Sequence, residues 1–166
     1  NEERTEVEGL DIELNFFKST QYGDFSYSAK ATELSEFLTP EDADGDERSI
    51  MVNRAGKFNY DANTHSLPKL RLNSFLSWTI NDLTFGINSR YLDGYSNERS
   101  IPSSATSLGY TNQVKSFLVH DFSITKSFQL RGVALEVGLG VMNAFDRNAP
   151  LPVSYTHLTL PTTRCV

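Results

Sequence analysis

The sequence predicts an all-β chain, an antiparallel up-and-down meander of about six long strands, and three observations carry that prediction. Apolar and polar residues alternate with a period of two through most of the chain, the repeat of a strand with one greasy and one wet face. The alternation is most sustained from Gly132 to Met142, where Val133, Leu135, Val137, Leu139 and Val141 are apolar and Ala134, Glu136, Gly138 and Gly140 are small or polar. The segments between strands also alternate in kind, a short polar turn followed by a long irregular loop. A β-strand needs roughly 9 to 11 tilted residues to cross a bilayer, so these segments are long enough to span one.

Taken in order, the first strand is expected over Gly9 to Phe17, with Leu10, Ile12, Leu14 and Phe16 opposite Asp11, Glu13 and Asn15. A polar turn at 18–23 leads to the second, where Phe25, Tyr27, Ala29 and Ala31 alternate with Asp24, Ser26, Ser28, Lys30 and Thr32. Its register is lost near Leu34, where a bulge is expected. Thr39 to Leu67 reads as a long irregular stretch with an acidic run at 41–47. The third strand, Pro68 to Ile80, sets Leu70, Leu72, Leu76, Trp78 and Ile80 against Lys69, Arg71, Asn73, Ser77 and Thr79. Asn81 and Asp82 then form a tight hairpin turn into the fourth, where Leu83, Phe85, Ile87 and Tyr91 oppose Thr84, Gly86, Asn88 and Arg90. A second long loop runs from Asp93 to about Thr111. The fifth strand, Gln113 to Lys126, carries Leu118, Phe122 and Ile124 on one face and Asp121, Ser123 and Thr125 on the other, with His120 interrupting the apolar set. A turn at 127–131 precedes the last strand.

In an up-and-down order all the long loops fall at one end. That is the asymmetry of outer-membrane barrels, with short periplasmic turns and long extracellular loops. Trp78 and Phe128 sit beside short turns and Tyr91 beside a long loop, where interfacial aromatic girdles are expected. The composition sets wide bounds: 166 residues, 39% hydrophobic, with mean hydropathy -0.37. Membrane barrels share this polar average because every second residue faces water, and the lack of a long apolar run excludes a membrane helix but not a barrel. A net charge of -6 argues against nucleic acid as a partner. Cys165, the single cysteine, has no internal disulfide partner and no metal-ligand pattern around it. Asn1 is not an initiator methionine, so the start reads as an internal cut.

Three stretches resemble a known family. Glu8-Gly-Leu-Asp-Ile-Glu-Leu14, Leu67-Pro-Lys-Leu-Arg-Leu-Asn73 with Ser89-Arg-Tyr91, and Gly140-Val-Met-Asn-Ala-Phe-Asp146 with Pro150 are similar to late strands of the TonB-dependent outer-membrane receptors. Ala144 stands where that family's near-terminal strand usually has leucine. The resemblance covers about Glu6 to Pro150. It implies that 1–152 is part of a 22-stranded transmembrane barrel with a plugged lumen. It further implies an outer-membrane location and uptake of a scarce nutrient such as an iron-siderophore, cobalamin or a glycan. The implied partners are outer-membrane lipid, that small-molecule ligand and the TonB energy-transducing complex. No catalysis and no cofactor are implied. Residues 153–166 do not continue the pattern: Val153 to Thr162 looks like the conceptual translation of a sequencing adapter, so this tail is expected to be non-native and its His157 and Cys165 to carry no function.

Candidate sites are few. Asp42, Asp44 and Asp46 alternate carboxylates as a calcium loop does, but Gly45 is early for an EF-hand and no bidentate glutamate follows, so a solvated acidic loop is the favoured reading. Arg71, Asn73, Asn88, Arg90 and Asp121 fall on the wet faces and form a candidate lumen-facing set, either lining a solute path or knitting the wall together by charge. No hydrolase triad, metalloprotease spacing or phosphate-cradling loop is present, which argues against an enzyme. The competing function class is a soluble or secreted β-sandwich binding module of the carbohydrate-binding type, in which the greasy faces would pack on one another.

Overall fold

The computed structural model describes residues 5–41, 50–58, 66–98 and 111–150. The strands are β1 (Glu6–Thr20), β2 (Gly23–Pro40), β3 (Met51–Asn53), β4 (Lys57–Phe58), β5 (Ser66–Leu67), β6 (Leu70–Ile80), β7 (Leu83–Leu92), β8 (Tyr95–Asn97), β9 (Gln113–Val114), β10 (Phe117–Leu130) and β11 (Val133–Val141), with no helix among the described residues. The large sheet runs in the order β1-β2-β6-β7-β10-β11, antiparallel throughout, with β3 paired to the far end of β2. Its main strands hold 15, 18, 11, 10, 14 and 9 residues. This is the expected six-strand meander. No other described strand pairs with the outer edge of β1 or β11, so the sheet is open.

The hairpins β1–β2, β6–β7 and β10–β11 close through tight turns at one end of the sheet. The long connections and a second sheet, β5-β4-β8-β9, lie on the path between hairpins at the other end. Three expectations need correction here. The stretches 39–67 and 93–111 are not simply irregular: β2 continues to Pro40, and β3, β4, β5 and β8 occupy parts of both. Strands this short show no periodicity, and one pairing, the parallel one of β4 with β8, joins segments remote in the chain. The last turn is not at 127–131. β10 runs on to Leu130, and Arg131 and Gly132, with φ of 49° and 84°, turn the chain. Both φ values are left-handed, as a type I′ hairpin turn requires, and nothing lies within 4 Å of a Cβ added at Gly132, so conformation rather than space selects glycine there. The first turn is likewise tighter than 18–23, with Thr20 directly opposite Gly23.

The expected bulge is present. Glu8 faces Glu36 but Gly9 faces Leu34, leaving Ser35 as the extra residue on β2. A side chain at Gly9 would meet the Glu33 carbonyl at 2.5 Å, so the close strand approach at the bulge requires glycine.

Apart from Lys18 and Phe17 of β1, which oppose Phe25 and Ser26, the register sorts this part of the sheet into cross-strand rows of one character. Phe25, Trp78, Phe85, Ile124 and Leu139 form one apolar row, and Phe16, Tyr27, Leu76, Ile87, Phe122 and Val141 another. Between them runs the row Ser26, Ser77, Gly86, Ser123 and Gly140. The apolar face is not covered: Leu14 is 54% exposed, Leu76 39%, Val137 51% and Leu139 75%. Among the described residues the nearly buried hydrophobic side chains are Ala55, Val114 and Val119, and none belongs to that face. Among the described residues the large sheet is thus a single layer with one greasy side, and no second layer packs on that side.

Candidate functional site

The wet face is knitted together by short polar contacts between neighbouring strands. The Thr32 hydroxyl donates to Asp11 at 2.6 Å, Lys30 pairs with Glu13 at 3.3 Å, the Ser26 and Ser77 hydroxyls meet at 2.9 Å, and those of Thr79 and Thr84 at 3.0 Å. The hydroxyl pairs Ser26–Ser77 and Thr79–Thr84 each contribute roughly 0.2–1 kcal/mol. Phe75 departs from the polar pattern. Its ring lies against Gly86, where an added Cβ would stand 3.2 Å from the ring and 2.5 Å from the Ser123 hydroxyl.

All five lumen-facing candidates, Arg71, Asn73, Asn88, Arg90 and Asp121, share this face by register. Asn88, Arg90 and Asp121 form one network. Arg90 Nη2 donates to both carboxylate oxygens of Asp121 at 3.0 and 3.3 Å, and Asn88 Nδ2 donates to the same group at 3.3 Å. The third donor is the backbone N–H of Asn143, 2.8 Å from Asp121 Oδ1. Arg71 and Asn73 do not join this network. They line, with Arg90, Leu92, Phe117 and Val119, an open concavity of about 270 Å³ near the long-connection end.

The Asn143 contact follows from how β11 ends. Asn143 takes a left-handed φ of 49°, and its side chain clasps Arg147 from both sides, Oδ1 accepting from the Arg147 N–H at 2.9 Å and Nδ2 donating to its carbonyl at 3.0 Å. The Ala144 N–H returns to the His120 carbonyl at 2.9 Å. Phe145 then packs edge-on against His120 and Phe122, with centroids 5.7 and 6.0 Å away. His120, which interrupts the apolar set, sits in regular register opposite Ser89. Its Nδ1 lies 2.8 Å from the Ser89 hydroxyl, and with Ser74 in the same row it forms a small polar notch partly roofed by Phe145.

At the turn end, Trp78 is stacked between Phe25 and Phe85, at 6.0 and 5.3 Å, and its Nε1 donates to the Tyr22 carbonyl at 2.9 Å. At the opposite end the Tyr91 hydroxyl donates to Asp93 at 3.1 Å. Glu98 bridges Arg54 at 2.8 Å and Lys57 at 2.9 Å beside the small sheet.

Sequence reasoning missed the Asn143 and His120 contacts, although both residues stood out. Periodicity assigns a face, whereas these contacts depend on register across a long loop and on a turn geometry carried by side-chain hydrogen bonds. Asp42, Asp44 and Asp46, with His157 and Cys165, lie outside the described residues. Among the described residues no group of three or more His, Cys, Asp and Glu side chains is placed to hold a metal ion. No family model, curated protein or solved structure matches the chain.

Proposed function

We propose that this chain is a late-strand portion of a large outer-membrane barrel of the TonB-dependent receptor type, about 22 strands in size. Its apolar rows face lipid and its polar rows face a wet lumen through which a scarce nutrient is taken up. Transport on this reading requires no chemistry on the solute. The observation that carries it is the single-layered sheet whose apolar face stays open along strands of 9 to 18 residues. Leu70 to Ile80 spans about 33 Å along the strand, which at a tilt near 45° is about 23 Å, close to the apolar band of about 25 Å in outer-membrane barrels. Trp78 at the turn border and Tyr91 at the other suit the interfacial girdles, and the tight turns grouped at one end suit the periplasmic side. Open edges on β1 and β11 suit a sheet continued by further strands.

The sandwich alternative needs a second layer against Leu14, Leu76 and Val137, and those residues are exposed. Expression of the chain by itself tests the choice. It should aggregate in plain buffer and become dispersed with β-sheet circular dichroism only in detergent or lipid, whereas a monodisperse folded monomer in buffer would refute the transporter reading. In the genome, the reading frame upstream should encode a plug domain with a short energy-coupling segment.

A further inference from the structure

The cations of the wet face differ in how they are balanced. Lys30 is matched by Glu13 at 3.3 Å and Arg90 by Asp121 at 3.0 Å. Arg71 has no hydrogen bond or ion pair with any described residue. Asp11 belongs to the same cross-strand row, but β2 lies between them and the Thr32 hydroxyl already engages it at 2.6 Å. The unmatched guanidinium opens into the concavity of about 270 Å³, where Asn73 and Arg90 add donors and Leu92, Phe117 and Val119 supply an apolar wall. Val119 is 6% exposed and Leu92 and Phe117 are half-buried, unlike the open apolar face behind them. Arg90 is held in place by its pair with Asp121, and Asp121 in turn by Asn88 and the Asn143 N–H, so the Arg90 donor is fixed before any ligand arrives, beside the exposed Arg71 and Asn73.

A planar fork of N–H donors matches a carboxylate in two parallel hydrogen bonds, and a concave apolar wall beside it suits an uncharged body on the same solute. We infer that Arg71, with Asn73 and the Arg90 edge, forms a subsite for a carboxylate carried on a small apolar or aromatic group. The subsite rests on the reading above of this face as the solute side of a transporter, and narrows its substrate to amphiphilic organic acids rather than neutral solutes or inorganic anions.

The test is nuclear magnetic resonance on the full chain, refolded in lipid bicelles and titrated with 2-naphthoate, 2-naphthamide and inorganic phosphate. Naphthoate should shift the Arg71, Asn73 and Phe117 amides saturably. Naphthamide and phosphate should bind about tenfold more weakly or less, as expected for loss of a charge-assisted pair or of the apolar body. Arg71→Gln should weaken naphthoate by about tenfold while leaving the naphthamide response unchanged, and Arg71→Lys should recover part of the loss. Equal response to naphthoate and naphthamide, insensitivity to Arg71→Gln, or no saturation at millimolar naphthoate in a folded sheet would each overturn the subsite. A sheet that fails to enter bicelles and folds in plain buffer instead would overturn the transporter reading, and naphthoate titrated in that buffer would then test the subsite alone.

Discussion

Arginine placed on the apolar face should cost stability according to depth. Leu76 lies four residues from Ile80 at the turn border and six from Leu70 at the other, about 13 and 20 Å along the strand, or about 9 and 14 Å after a 45° tilt. It therefore sits near the middle of the apolar band, and it is 39% exposed on a central strand. Leu76→Arg should destabilise the lipid-inserted sheet by about 2–4 kcal/mol, Ile80→Arg by about 0–1 kcal/mol. Ser77→Arg, one residue away but on the wet face, should cost less than Leu76→Arg because its head group stays hydrated. The assay is urea titration of the chain in phosphatidylcholine vesicles, followed by the emission of Trp78, the single tryptophan. The reasoning is refuted if Leu76→Arg costs no more than Ser77→Arg, or if the costs at Leu76 and Ile80 are equal.

Other outcomes follow from the wet face and the turns. Asp121→Ala removes the acceptor of Asn88, Arg90 and the Asn143 N–H, so it should lower the urea midpoint and speed hydrogen exchange at the Asn143 amide. Gly86→Ala would force a Cβ to 2.5 Å from the Ser123 hydroxyl and 3.2 Å from the Phe75 ring, and should lower stability by about 1–3 kcal/mol, with Phe75→Ala in the same chain recovering part of it. Arg131→Asn, at a residue with φ of 49°, should raise the urea midpoint by an amount worth a few tenths to about 1 kcal/mol, since asparagine adopts that conformation more readily. Asn143→Ala deletes the clasp on Arg147 and should loosen the ring of Phe145 from His120, seen as loss of the ring-current shift on the His120 protons.

How far the molecule can be read from its sequence depends on whether a feature repeats locally. The alternation in β1, β6, β7 and β11 is sustained, so their faces were legible, and the two-residue turn at Asn81 and Asp82 made even a contact countable. Stepping outward from Ile80 opposite Leu83 places Asn73 opposite Arg90, as observed. The pairing of Arg90 and Asp121 was not countable, because β7 and β10 are joined through a long connection whose length sets no register. The turn between β10 and β11 was misplaced although the apolar phase marks it: it shifts from even positions, Phe128 and Leu130, to odd ones, Val133 and Leu135, across the left-handed pair Arg131 and Gly132. The short strands β3, β4, β5 and β8 were invisible for a different reason: each is only two or three residues long, too short to show a period, and exists through its pairing, which for β4 and β8 joins residues 39 positions apart.

Site-directed spin labelling along β6 tests the two-faced sheet most directly. In a Cys165→Ser background, single labels at each position from Leu70 to Ile80 are compared in lipid for collision with oxygen, which concentrates in hydrocarbon, and with a water-soluble nickel chelate. The account predicts that oxygen accessibility peaks at 70, 72, 74, 76, 78 and 80 and nickel accessibility at 71, 73, 75, 77 and 79. Equal accessibility on both faces, or shielding of positions 72, 76 and 78 from both reagents, would contradict it.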